Sequence, residues 1–144
     1  MAKIENIIIH CSDSNFGSVP LIRQWHLQRG WRDIGYNAVI LNGWLASDHN
    51  VTSMDGSISI GRAFDRDNVL VAEEIGAHAI GYNSKSLGIC LIGSNGVFSD
   101  RQIVSLINLV KNLCDLYQIK INNVLGHYEV TTGKTCPDID MHTF

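Results

Sequence analysis

A chain of 144 residues with 45% hydrophobic and 17% charged residues has the length of one ordinary domain and can build a core without cross-links. This composition excludes a disordered or fibrous protein, and no stretch is apolar enough to span a bilayer. A formal net charge of −3 excludes a broad basic field, so a polyanion must be met by a local site rather than by the whole surface.

Ile7-Ile8-Ile9 is a β-branched run too short for a helix, and it predicts a buried strand delivering His10 and Cys11 at its end. Ser18 can cap a helix with Pro20 in its first turn and Leu21, Ile22, Trp25 and Leu27 on its apolar face, stopped by Gly30. Tyr36 to Leu41 reads as the next strand. Asn42 to Ser53 is polar and, apart from Trp44 and Leu45, patternless, which predicts a loop. Asp55-Gly56 turns the chain into an alternating strand, Ser57 to Ile60. Ser86 to Ile92 is a strongly apolar central strand. Ser99 caps the clearest helix, with Ile103, Leu106, Ile107, Val110, Leu113 and Leu116 at helical spacing. Ile119 to Leu125 returns as a last strand ending at His127. Repeats and linkers are absent, so residues 1–144 read as one α/β domain, a single sheet with helices on its faces.

Of the four cysteines, Cys90 and Cys114 fall in apolar patterns and read as small core residues. The N-terminal residues lack the apolar segment of a secretory leader. We therefore expect synthesis in a reducing cytoplasm, with free thiols available to a metal. His10, His127 and Cys136 lie at strand ends or just beyond, and two imidazoles with a thiolate suit zinc with one position left open. Spacing alone equally allows ordinary hydrogen-bonded histidines and a Cys-Pro loop terminus, and zinc-finger spacing is absent.

Five motifs in order carry more information: Ile8-Ile9-His10-Cys11-Ser12; Trp31 to Asn37 (WRDIGYN); Gly76 to Asn83 (GAHAIGYN); Ser86 to Gly93 (SLGICLIG); and Gly126 to Val130 (GHYEV) followed by Lys134-Thr135-Cys136-Pro137. Together they resemble the type-2 N-acetylmuramoyl-L-alanine amidases, above all the short phage endolysins, with animal peptidoglycan recognition proteins as more distant relatives. The resemblance implies a mixed central sheet flanked by helices, with a zinc-floored groove. It implies one Zn2+ per chain on His10, His127 and Cys136, with Tyr36 as the catalytic tyrosine and Lys134 as the catalytic lysine of the phage branch. The activity implied is hydrolysis of the amide between the lactyl group of N-acetylmuramic acid and L-alanine of the peptidoglycan stem peptide. An enzyme of this kind waits in the host cytoplasm and reaches the cell wall through a membrane pore.

Lys134 is placed to stabilise an oxyanion, and Tyr36 either to orient water or to donate to the same oxyanion. His78 reads as a groove residue contacting sugar or peptide, or as a structural hydrogen-bonding group. Asn83 reads as a substrate-binding residue that, with Tyr82, shapes that loop. Arg62 would pair with a stem-peptide carboxylate or with a nearby acidic side chain. Cys11 is expected to point away from its neighbour His10. His26, His49 and His142 read as surface residues, Trp25 and Trp31 as core, and Trp44 as the better sugar platform.

Three departures from the family pattern stand out: a longer Asn42–Thr52 segment, one extra residue between His127 and Cys136, and an end at Phe144 soon after the cysteine motif. The expected partner is bacterial peptidoglycan, met by a monomer that neither inserts in membranes nor binds nucleic acid. Two other functions compete. One is a non-catalytic peptidoglycan-binding module, against which Tyr36, Lys134 and Cys136 all argue. The other is inhibition of a phage RNA polymerase, as some phage amidases of this type do, and nothing in the sequence marks a face for it.

Overall fold

In the computed structural model, which describes residues 3–141, the triple-isoleucine run forms β1, Asn6–Cys11. It pairs in parallel with β6, Ser86–Leu91, on one side and with β7, Val124–Gly126, on the other. β2, Ala38–Ile40, pairs in parallel with β6, and β5, Ile58–Ile60, closes the edge antiparallel to β2. The sheet is therefore mixed, in the order β5-β2-β6-β1-β7.

The inner strands are apolar at nearly every position because both faces are covered. Ile7, Ile9, Ile40, Leu87, Ile89 and Leu91 meet Leu106, Val110, Leu113 and Tyr117 of α2, Asp100–Tyr117. On the opposite face Val39, Cys90 and Ile92 meet Val19 and Ile22 of α1, Val19–Gln28. Ser18 caps α1 by accepting from the Leu21 amide, with Pro20 in its first turn. Leu27, predicted on the apolar face, is 49% exposed. The buried stripe is Val19, Ile22 and His26, at spacings of three and four.

Ser99 and Gln102 cap α2 reciprocally. The Gln102 amide, fully buried, also donates to the carbonyls of Ile40 (3.1 Å), the last residue of β2, and Ile92 (2.9 Å), just past β6. Gln102→Ala removes both bonds and half of the cap. We expect it to cost about 1–3 kcal/mol, read as a lower denaturation midpoint at unchanged slope.

Two predicted segments differ. The Asn42–Ser53 loop contains a small hairpin, β3 (Trp44–Ala46) with β4 (His49–Asn50), followed by a 3-10 turn, Thr52–Met54. Its strands are too short to leave a period in the sequence. Its start is set by the Asn42 side chain, which accepts from the Trp44 amide (3.0 Å). The predicted Ile119–Leu125 strand is mostly a 3-10 turn, Ile121–Asn123, in which the Asn123 amide bonds back to Lys120, so only its end joins the sheet.

Candidate metal centre and its groove

Parallel pairing places Ile9 opposite Gly126, so the next residue on each strand is a histidine and the two lie side by side. His10 stands at the end of β1, and His127 opens α3, His127–Val130, directly after β7. Their ring centroids are 4.4 Å apart. The 131–135 segment then folds back, and the Tyr128 amide donates to the Cys136 carbonyl (3.0 Å). The ligand atoms of His10, His127 and Cys136 consequently all lie within 4.8 Å of one another. Carboxyl ends of parallel strands are where α/β sheets place ligand sites, and two imidazoles with a thiolate are the donor set that zinc takes.

Local bonds tune these donors. Burial, then the neighbouring His78 and His127, push His10 well below the usual imidazole range. Burial, then the Lys134 charge, lowers His127. Both imidazoles are thereby kept neutral, the form that ligates metal. The Cys11 amide donates to Cys136 Sγ (2.7 Å). The Cys11 thiol borders the same cavity, and its interaction with Cys136 brings Cys11 down to about 7 and, with burial, raises Cys136. The pair releases its first proton more readily than a lone thiol and its second far less.

Tyr36 faces this cluster, its ring centroid 5.2 Å from that of His10. It is held from both flanks. On one side the Gly35 amide donates to His26 Nδ1 (2.8 Å), and a β-carbon on Gly35 would lie 2.3 Å from the Ala77 carbonyl oxygen. On the other, the Asn37 side chain bonds the Glu74 carbonyl (2.8 Å) and the Gly88 amide (3.0 Å). Burial first, and the surrounding thiols second, raise the Tyr36 phenol well above its ordinary value, so it offers a proton rather than a base. Tyr36, His10, His127, Lys134 and Cys136 line one open cavity of about 660 Å³.

The profile of the N-acetylmuramoyl-L-alanine amidase family matches residues 1–139. The chain belongs to this family. It is 33% identical to the endolysin of Enterobacteria phage T3 over 151 aligned residues, covering 97% of this chain and 84% of the endolysin. Among solved structures it is similar to the N-acetylmuramoyl-L-alanine amidase LysC from Clostridium intestinale (TM-score 0.74, 28% identity, 94% of this chain and 77% of that one). It is also similar to wild-type Drosophila PGRP-LB (TM-score 0.71, 30% identity, 95% of this chain and 76% of that one).

The structure gathers most of the predicted residues at this amidase-family site. Lys134 lines the cavity despite the lengthened loop, as do His78 and Asn83. Asn83 shapes its loop as expected, its Oδ1 accepting from the amides of His78 (2.9 Å) and Ala79 (2.8 Å). His78 is largely buried, and its two ring nitrogens lie against His10 and Ser86; burial lowers it to about 3.

Arg62 is the exception. It lies outside the cavity lining and is buried, with Nε donating to the Ile34 carbonyl (2.6 Å) and a terminal nitrogen to the Ile75 carbonyl. A guanidinium engaged this way ties the Ile34 and Ile75 segments together, with the Asp33 carboxylate as a nearby charge. Residues 42–52 do not line the cavity, and Trp44, 42% exposed, stands outside it. The hairpin is tied instead to Asn15 and Gly17. Trp31, read as core, does line the groove, as does Arg29 stacked 5.6 Å from its ring.

His26, read as a surface residue, is 5% exposed. Its place four residues after Ile22 on the buried stripe was the available signal. Burial, then the charges of Arg29 and Arg62, lowers it from 6.5 to about 4. The unfolded chain therefore binds this proton more readily than the folded one. Its contribution to stability is full above pH 6.5 and is lost as pH falls through about 4. Protonation also destroys the Nδ1 acceptor that holds Gly35. Denaturation midpoints across this window should fall less steeply in His26→Asn than in the wild type, and parallel curves would contradict this. His49 is exposed as predicted, and His142 lies outside the described residues.

Proposed function

We propose that this chain is a zinc-dependent amidase that cleaves between the lactyl group of N-acetylmuramic acid and L-alanine of the stem peptide, acting as a phage endolysin that lyses its bacterial host. The observation that carries this is the convergence of His10, His127 and Cys136, within 4.8 Å of one another, on the groove that Tyr36 and Lys134 also line. The endolysin role is supported by similarity to a phage endolysin along nearly the whole chain. No described helix is long and apolar enough to cross a membrane.

The donor set fits zinc, which when bound supplies a Lewis acid for the amide carbonyl and makes water more acidic. The protein's own groups do the rest. Tyr36, held rigidly beside His10, donates a hydrogen bond to the carbonyl oxygen as it gains charge. Lys134, exposed and bordering the same groove, stabilises that charge electrostatically. A binding module without hydrolysis would need neither the thiolate nor the phenol in this arrangement.

Purified peptidoglycan treated with the protein should release stem peptides bearing a new L-alanine amino terminus, identified by mass spectrometry. New reducing sugar ends instead would overturn the assignment of the bond. Lys134→Ala should lower kcat by about 10–100-fold, less than loss of a well-fixed oxyanion donor, because Lys134 is exposed. KM and zinc content should stay near wild type, and unchanged turnover would remove Lys134 from the mechanism.

A further inference from the structure

Around His78 the chain is built to hold one imidazole in one orientation. A β-carbon on Gly88 would sit 2.6 Å from the ring's Cγ, so only glycine in β6 leaves room for it. Asn83 fixes the backbone beneath the ring through the two amide bonds described above. Ser86, fully buried, donates its hydroxyl proton to the Tyr82 carbonyl at 2.7 Å.

A hydroxyl has a single hydrogen. With that hydrogen on Tyr82, Ser86 Oγ can only accept from His78 Nε2, 3.3 Å away, and Nε2 carries the proton. In an uncharged imidazole the other nitrogen is then the acceptor. His78 Nδ1 lies 2.9 Å from His10 Nε2, so His10 Nε2 is the donor. Its lone pair is left on Nδ1.

We propose that His78 is a positioning residue for the metal centre: the directed chain Tyr82 carbonyl, Ser86, His78, His10 fixes the tautomer of His10 and presents its Nδ1 to the metal. This rests on the zinc reading above. It also explains why His78 offers the substrate no free nitrogen although it borders the groove. Partners of this kind orient ligating histidines and raise their basicity, and their loss typically costs about 10–100-fold in metal affinity.

The test compares the wild type with His78→Leu, His78→Asn and Ser86→Ala. Zinc affinity is read by competition with a chromophoric chelator, folding by thermal unfolding of the metal-free proteins, and the His10 tautomer by long-range 15N–1H NMR of the zinc-loaded proteins. We expect His10 of the wild type to carry its proton on Nε2. His78→Leu should bind zinc about 10–100-fold more weakly. His78→Asn, whose amide oxygen can stand where Nδ1 stood, should recover most of that affinity. Ser86→Ala should fall between them, with His10 in mixed tautomers.

Wild-type affinity in His78→Leu, or a wild-type His10 protonated on Nδ1, overturns the proposal. The tautomer measurement decides even if His78→Leu does not fold, because it needs no variant. A wild type that binds no zinc overturns the functional reading itself. A wild type that binds zinc no more tightly than its variants overturns only the role of His78.

Discussion

Tyr36→Phe should lower kcat on peptidoglycan by about 10²–10³-fold, the usual effect of removing one fixed oxyanion donor, while KM and zinc content stay near their wild-type values. The substitution deletes a single oxygen. The ring still fills its place against His10 and His26, with centroids at 5.2 and 5.5 Å, so packing should survive. The groups that aim Tyr36, His26 through the Gly35 amide and Asn37 through Glu74 and Gly88, are untouched. An interaction made only as the carbonyl oxygen gains charge affects kcat and kcat/KM equally. If kcat were retained and KM rose, Tyr36 would be a binding residue and the donor role would be wrong.

Cys136→Ser should have the larger effect: loss of stoichiometric zinc, and a fall in hydrolysis of at least about 10³-fold, equivalent to several kcal/mol of transition-state stabilisation. The thiolate is the only anionic member of the donor set, and a serine hydroxyl does not replace it at neutral pH. The variant should nonetheless fold. Both hydrophobic clusters are built on the sheet and on α1 and α2, whereas Cys136 comes at the end of an exposed segment. Metal-free wild type and variant should therefore unfold at similar denaturant concentrations. The neighbouring Cys11 thiol is a second sulfur donor beside this position. If Cys136→Ser retained zinc, the double variant with Cys11→Ser should lose it. Full hydrolysis by that metal-free double variant would remove zinc from the mechanism.

The central strands were legible in the sequence because strands covered on both faces are apolar throughout, and Ile7-Ile8-Ile9 and Ile89-Cys90-Leu91-Ile92 have no other reading. The candidate metal ligands were legible only through ordered motifs. Nothing local to His10 or His127 says that parallel pairing, with Ile9 facing Gly126, will bring them together.

The misread residues share one physical cause. Arg62 and His26 are polar side chains, and their burial depends on long-range carbonyl and amide partners, Ile34, Ile75 and Gly35, which composition does not reveal. His78 combined both difficulties. Its motif placed it by the groove, while its Ser86 and His10 partners lie 8 and 68 residues away. The small hairpin at 44–50 was missed because strands of three and two residues leave no periodicity.

The zinc-amidase assignment is tested most directly by measuring zinc content and bond cleavage on the same purified protein. One zinc per chain is expected, together with free stem peptides whose new amino terminus is L-alanine, and chelation should abolish both, with zinc restoring them. A protein that contains no zinc and releases those peptides undiminished in chelator would contradict it.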